Sequence, residues 1–311
     1  MAILLPALLT LIPGKPLHAE VPATPDGWTL QFADDFNGPV HTLPSSERWR
    51  FAMGHGYPGG PVDWGNGEVQ AYTADPSNVS LDGNGSLLIT PRRDADGNWT
   101  SARIETNVDT FKPPAGGMMR VQARIRMPDV SGLGALGYWP AMWMVGGPYR
   151  ELLNWPAVGE FDIMEGVNGE NRVWGALHCG TLPGGPCSEP AGIAGQTPCP
   201  NSACQAAFHV YAFEWDRSVK PAQLRWYVDG VLFHHVGEEQ LPTETWDEIS
   251  DHRGYFLLLN VAMGSGFPDA FAPIKTPVPA TQPGKSMIVD YVAIWTRPGN
   301  MAPLAMAFPT K

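Results

Sequence analysis

Apolar and polar residues alternate with a period of two over much of this chain, and proline or glycine interrupts each longer run. The clearest alternation spans 119–127: Val121, Ala123 and Ile125 share one face, opposite Arg120, Gln122, Arg124 and Arg126. We expect those four polar residues to form a solvated outer sheet face. Similar patterns predict strands at 32–36, 85–90, 224–228, 231–235, 255–261 and 287–295, with a hairpin turn at Asp229-Gly230.

The repetition of short strands separated by turn residues determines the expected fold class. No segment is long and regular enough for a helix of about twelve residues. We therefore predict an all-β fold, a two-sheet antiparallel β-sandwich. The loop at 54–67 is rich in glycine and proline and should connect strands without being one.

One predicted strand carries an unusual density of acids, Glu160-Phe161-Asp162-Ile163-Met164-Glu165. On a regular strand Glu160 and Asp162 share a face, and Glu165 points to the opposite one. A β-bulge around Ile163-Met164 returns Glu165 to the face of the other two acids. Three like charges on one face raise each other's pKa, which is typical of a catalytic site and unfavourable in a purely structural strand.

Composition and charge narrow the class of partner. The chain has 311 residues, 43% hydrophobic and 16% charged, which suits one large domain. Its formal net charge of −11 argues against a nucleic-acid backbone and an anionic membrane surface as partners. The 12 tryptophans exceed what a core of this size needs and suit stacking on sugar rings, although any one of them could be a core residue.

The two ends of the chain differ from the rest. Residues 1–13 are nearly all apolar and Ala19 is small, which predicts a secretory signal peptide at 1–19 and a secreted protein, although the first residues lack a positive charge. This apolar run is too short to span a bilayer. We expect one catalytic domain at 20–298 and a poorly ordered tail at 299–311.

The four cysteines lie close together at 179, 187, 199 and 204. An even number in an exported chain predicts two disulfides, and the spacing does not match paired zinc ligands. Three pairings are possible. We favour Cys179–Cys187 with Cys199–Cys204, because each closes a short local loop.

The acidic strand resembles the signature of glycoside hydrolase family 16, in its laminarinase-like branch. Other matching segments follow the family's order from about Phe32 to Trp295, namely Trp64–Gln70, Ser101–Ile104, Tyr138–Trp143, Gly175–His178, Phe208–Trp215 and Asn260–Gly264. Each segment alone is weak, and their order makes the match specific. The resemblance implies a jelly roll with a concave substrate cleft.

The resemblance also implies roles for the acids and their neighbours. Glu160 matches the nucleophile, Asp162 its helper and Glu165 the acid/base of a retaining hydrolase, whose two reacting carboxyls must lie ~5–5.5 Å apart. The substrate-binding candidates are Asn66, Arg103, Trp139, Trp143, His178 and Asn260, with Glu68 a weaker one. Each candidate also has a structural alternative. Either tryptophan could be a core residue, Asn66 a turn residue, and Arg103 part of a salt bridge. Asn260 could tie a loop, and His178 could be buried and hydrogen-bonded.

No catalytic cofactor is expected, but the family often carries a structural calcium on the convex side. Matching positions are Asp290, the backbone near Asp35 and the carbonyl of Gly85, all of which offer oxygen, the ligand that calcium prefers. An ordinary strand aspartate is the alternative for Asp290. We expect a monomer.

Two classes of function fit these observations. The first is an endo-acting hydrolase of β-1,3-glucan, with mixed-linkage β-1,3-1,4-glucan and β-galactans as alternative substrates. The second is a glucan-binding protein on the same fold that does not cut. Such binding relatives typically lose catalytic carboxylates, and this chain keeps all three, which favours the enzyme.

Overall fold

The computed structural model describes residues 20–299. The predicted signal peptide at 1–19 and the predicted tail beyond Gly299 lie outside the described residues. Within the described part, the chain folds into β-strands joined by loops and a few short helices, as the alternation predicts.

The strands are, in chain order, β1 Thr29–Asp34, β2 Trp49–Phe51, β3 Ala71–Tyr72, β4 Val79–Leu81, β5 Leu87–Ile89, β6 Arg92–Arg93, β7 Trp99–Ser101, β8 Arg103–Thr106, β9 Met118–Arg126, β10 Tyr138–Gly146, β11 Glu160–Glu165, β12 Val173–His178, β13 Ile193–Thr197, β14 His209–Asp216, β15 Gln223–Val228, β16 Val231–Gly237, β17 Tyr255–Met263 and β18 Met287–Arg297. The helices are α1 Tyr149–Leu152, α2 Thr243–Asp251 and α3 Gly266–Ala270. Single 3₁₀ turns occupy Val62–Gly65, Gly132–Ala135 and Glu238–Gln240.

Two large antiparallel sheets form the sandwich. The outer sheet has the order β16-β15-β14-β9-β18-β5-β4, and β1 also pairs with β18. The site sheet, which carries the acidic strand, has the order β13-β12-β11-β10-β17-β8-β2. A third small sheet joins β3, β7 and β6. The predicted all-β jelly-roll sandwich is therefore confirmed, and β11 lies near the middle of the site sheet.

The core lies between the two sheets, and its side chains pack against the inner face of β11. Val121, Ala123 and Ile125 of the outer sheet are fully buried, as their alternation predicts. Phe161 of β11 stacks on Phe213 of the outer sheet, with ring centroids 4.8 Å apart. Burying one such side chain stabilises the fold by about 1.5–3 kcal/mol, so Phe161 helps to hold β11 in place.

Several predicted strand limits shift by a few residues. The first strand, for example, ends at Asp34 and not at Phe36, because Phe36 has a φ of 50°, outside the extended region.

The turn at Asp229-Gly230 is confirmed, with φ values of 49° and 78° that match a type I′ hairpin. The polar face of β9 is half-buried and not freely solvated, because Arg120 pairs with Glu214 at 2.7 Å.

The loops between β12 and β14 contain both disulfides. Cys179 bonds to Cys187 and Cys199 bonds to Cys204, which confirms the favoured pairing. Each bridge closes a short local loop and ties it to the core, where the sulfur atoms are buried. None of the helices in residues 20–299 is long and apolar enough to cross a membrane.

Candidate active site

The bulge in β11 is present where the acid spacing predicts it. Against β10, Met164 pairs with Met142 and Asp162 with Trp143, which leaves Ile163 as the extra residue. Against β12, the register also shifts between Asp162 and Glu165. Ile163 and Met164 are both fully buried in the core between the sheets. The alternation of faces along the strand is therefore reset, and Glu165 returns to the face of Glu160 and Asp162.

Burial and mutual repulsion control the charge of the two glutamates. Burial raises the pKa of Glu165 to about 8, and the negative charge of Asp162 contributes to that rise. Burial, and then Asp162, also raise the pKa of Glu160 well above the usual range of a glutamate. Both groups therefore hold protons more strongly than exposed glutamates do, which suits a strand that must supply a proton near neutral pH.

His178 is a positive group beside this strand. Its Nε2 lies 3.0 Å from Oδ2 of Asp162, and its Nδ1 lies 2.7 Å from Oε2 of Glu189. Burial alone disfavours the charged imidazole, but the hydrogen bonds to Asp162 and Glu189 outweigh it and raise the pKa of His178 well above its usual value. His178 is therefore buried and hydrogen-bonded, which the sequence analysis left open as an alternative to sugar binding. One of its neighbours is Asp162, an acid of the strand β11.

The register distinguishes the two glutamates. Glu160 is the cross-strand partner of His178 in the β11–β12 pair, whereas Glu165 is opposite Trp174. Because cross-strand partners are neighbours on the same face, the imidazolium favours the anionic form of Glu160 most directly. Glu165 instead accepts a hydrogen bond of 2.7 Å from Nε1 of Trp139.

Trp139 and Trp143 both lie on β10 and are half-buried on the same side of the strand. Trp143 donates from Nε1 to Oδ1 of Asn260 at 2.7 Å. Asn260 in turn donates to the hydroxyl of Tyr72 at 3.0 Å, and Tyr72 donates to Glu68 at 2.8 Å. The predicted cleft residues Trp139, Trp143, Asn260 and Glu68 are thus brought together beside β11, and hydrogen bonds hold both indole rings in fixed orientations.

Arg103 lies in an aromatic box beside Trp143. Its guanidinium carbon is 4.5 Å from the centre of the Trp64 ring, 4.6 Å from that of Trp143 and 5.2 Å from that of Tyr57. Only 4% of Arg103 is exposed, so it has little surface available for a sugar. Its guanidinium instead holds the Trp64 and Trp143 rings in place. Asn66 is exposed, and its side chain donates to Glu68 at 2.9 Å.

Some groups near the site carry no signal in the sequence. Glu189 reaches His178 from the disulfide loop, and Glu105 accepts a short hydrogen bond from Tyr57 below Arg103. Tyr57 is 48 residues from Glu105, and Glu189 lies in a loop 11 residues after His178, so no strand periodicity marks either pair. A buried glutamate close after a disulfide cysteine is the nearest thing to a signal for Glu189.

The acid and histidine groups also have the spacing of a metal site. Among residues 20–299, ligand atoms of Glu160, Asp162 and His178 lie within 4.8 Å of one another.

The predicted calcium residues are elsewhere, on the outer sheet and its loops. Asp290 is buried in a bulge of β18, where its Oδ2 is 2.5 Å from Nη1 of Arg124. A cation already faces that carboxylate, so these residues fit calcium only in part.

Comparison with known proteins decides the family. The XgeA-like catalytic GH16 domain model matches residues 96–199. The crystal structure of an endo-1,3-beta-glucanase from Streptomyces sioyaensis is 54% identical, covers 90% of this chain and 100% of its own, and superposes with a TM-score of 0.87. The chain belongs to glycoside hydrolase family 16.

Other members of the family agree with this assignment. A beta-glucanase from Rhodothermus marinus is 31% identical over 291 residues, which is 86% of this chain and 85% of that protein. The endo-beta-1,3-glucanase structure from Pyrococcus furiosus is 30% identical, covers 90% of this chain and 100% of its own, and has a TM-score of 0.70. This family 16 member is accordingly a glycoside hydrolase, and the laminarinase-like resemblance is confirmed.

Proposed function

We propose that this family 16 enzyme is a retaining, endo-acting hydrolase of β-1,3-glucan. The observation that carries the proposal is the bulged strand β11, which presents Glu160, Asp162 and Glu165 on one face beside two fixed tryptophans. The similar proteins from Streptomyces sioyaensis and Pyrococcus furiosus, both described as endo-1,3-β-glucanases, support the linkage. The apolar run at 1–13 and the two disulfides support secretion.

In the proposed mechanism, each glutamate serves both steps. Glu160 attacks the anomeric carbon while Glu165 gives its proton to the leaving glycosidic oxygen, which forms a glycosyl-enzyme ester. Glu165, now a carboxylate, then takes a proton from water, and that water displaces Glu160 with a second inversion. The raised pKa of Glu165, about 8, keeps it protonated for the first step at neutral pH. Two carboxyls complete this cycle, so no metal takes part.

The substrate-binding roles are proposed from placement. Trp139 and Trp143 offer their half-buried ring faces to pyranose rings, and the Trp139 N–H also orients Glu165. Asn260 and Arg103 hold the Trp143 ring, and His178 holds Asp162. Asn66 is the exposed polar side chain of this group, and beside its hydrogen bond to Glu68 it can offer an amide to a sugar hydroxyl.

A panel of polysaccharides tests the substrate. We expect reducing ends to appear fastest with laminarin, more slowly with barley β-glucan, and at background levels with agarose and β-1,3-galactan. An early mixture of oligosaccharide lengths would show endo-action. Glu160→Ala, measured in parallel, controls for contaminating activity. Faster release from a galactan, or binding of laminarin without release, would contradict the proposed substrate or the proposed catalysis respectively.

Structural calcium remains a prediction, with Asp290 and backbone oxygens near Asp35 and Gly85 as the proposed ligands. We expect a chelator to lower the melting temperature by roughly 5 °C and added calcium to restore it, because an ion that binds only the folded state stabilises it. Differential scanning calorimetry with and without the chelator makes the measurement. A melting temperature indifferent to both additions would contradict the calcium prediction.

A further inference from the structure

Glu189 is a buried acid in the loop between β12 and β13, outside the acidic strand. Its side chain has no exposed surface, and it lies two residues beyond the Cys179–Cys187 bridge. Burying a carboxylate is costly unless its oxygens are hydrogen-bonded. Glu189 therefore needs hydrogen-bond partners inside the folded protein.

Both oxygens of Glu189 are bound, and in different directions. Oε1 accepts from the backbone N–H of Cys179 at 2.9 Å, and Oε2 lies 2.7 Å from Nδ1 of His178. Its backbone also pairs with Gly184, through its N–H to the Gly184 oxygen at 2.6 Å and through its own oxygen at 2.8 Å. The carboxylate is thus fixed on a closed loop and directed at the far side of the His178 ring.

We propose that Glu189 is a positioning residue for glycoside hydrolysis, which keeps His178 protonated and its charge beside Asp162, where Nε2 lies 3.0 Å from the carboxylate. The proposal rests on the proposed function, because Asp162 and Glu160 are its final targets. Glu189, His178 and Asp162 form a line of alternating charge from the disulfide loop to the catalytic strand. A histidine without the Glu189 carboxylate would be free to take the other tautomer or to lose its charge.

The groups around His178 show why the charge is needed. Asp162 and Glu160 face the ring from β11, and Glu189 faces it from the loop. Among the described residues, the neutral Trp155 ring also lies against His178, with centroids 5.7 Å apart, and the backbone at Gly192 lies beside it. His178 is therefore the cation shared by three carboxyls. Its positive charge lowers the pKa of Glu160 and of Glu165, against the larger effects of burial and of Asp162.

Glu189→Gln removes the negative charge of the Glu189 side chain and keeps its size and shape. The amide oxygen still accepts from the Cys179 N–H, and the amide N–H₂ then faces Nδ1 of His178, which must lose its proton to accept. The ring keeps its Nε2–H but becomes neutral. Glu160 loses a nearby cation, its pKa rises further, and the acidic limb of the pH–rate profile moves to higher pH.

We expect Glu189→Gln to lower kcat by about 10- to 100-fold with KM almost unchanged, by analogy with the hydrogen-bond partners that orient metal-bound histidines. The acidic limb should move up by about 1 pH unit. The NMR titration of His178, assigned by the resonance missing in His178→Asn, should move to lower pH. Glu170→Gln, which removes an acid whose side chain is 40% exposed, is the matched control and should leave all three unchanged.

Glu189→Asp completes the test, because it keeps the charge but shortens the reach. It should recover part of the pH profile. If Glu189→Gln lowers only the melting temperature, while the pH profile and the His178 titration stay at wild-type values, Glu189 is a loop tie and the proposal is wrong. The NMR titration does not depend on activity, so a wild-type protein inactive on glucans would refute the proposed function while the charge of His178 is still measured.

Discussion

Replacing Glu160 by alanine should lower laminarin hydrolysis by roughly 10³-fold or more, and azide should then restore turnover of a glucosyl donor with a good leaving group. Azide enters the space of the missing carboxylate and attacks from the nucleophile's face. One displacement yields a glycosyl azide of inverted, α configuration. Carbon-13 NMR of the product identifies the anomer.

Glu165→Ala should give the opposite anomer. Glu160 is intact and still forms the covalent intermediate when the leaving group needs no proton. Azide then displaces Glu160 from the opposite face, and two inversions yield a β-configured azide. The two alanine variants are each other's controls, because each removes one carboxylate from the same strand. Swapped configurations would reverse the assignment of Glu160 and Glu165.

Asp162→Asn should retain the wild-type stereochemistry, because no bond forms at Asp162. Its charge raises the pKa of Glu165, so removing it should move the alkaline limb of the pH–rate profile to lower pH. Full activity in all three variants would show that β11 is not the active site.

Glu165→Gln should make the protein more stable at alkaline pH while inactivating it. The pKa of Glu165 is about 8 in the folded state and about 4.3 when unfolded. Such a group stabilises the folded state fully below about pH 4, and that contribution is lost as the pH rises towards 8. Glutamine stays neutral and can still accept from Trp139. The gain at pH 8–9 should be of the order of a few kcal/mol, or about 5 °C or more in melting temperature.

Melting curves at pH 4 and at pH 8.5 make this comparison. The variant and the wild type should melt together at pH 4, where Glu165 is protonated, and separate at pH 8.5. Glu170→Gln should follow the wild type at both values, because its carboxylate is exposed to solvent. A variant that melts below the wild type at pH 8.5 would mean that the Glu165 anion is stabilised in the fold.

The acidic strand could be predicted from sequence because its information is local. The bulge follows from the spacing of three acids around buried apolar residues, and the disulfides follow from short loops. The hairpin at Asp229-Gly230 is local in the same way.

The environment of those residues could not be read in the same way, because folding brings it from elsewhere in the chain. Arg103 meets Tyr57, which is 46 residues away, and Trp143 meets Asn260, which is 117 residues away. The resemblance identified Arg103 as a sugar contact, but only the structure shows it enclosed by three rings. For Glu189 the sequence offers only its position two residues after Cys187, because its hydrogen bond to His178 depends on where the folded loop places it.

The extra residue at Ile163 allows the catalytic motif to change length without losing its chemistry. Removing that one position would leave a regular strand, on which Glu160, Asp162 and Glu165 still alternate onto one face. An insertion or deletion on either side of the acids, by contrast, would move the whole set into the core. Evolution can therefore lengthen or shorten this motif only at the bulge, and such a step leaves the two glutamates opposite Val145 and Ala141, which are four residues apart on β10.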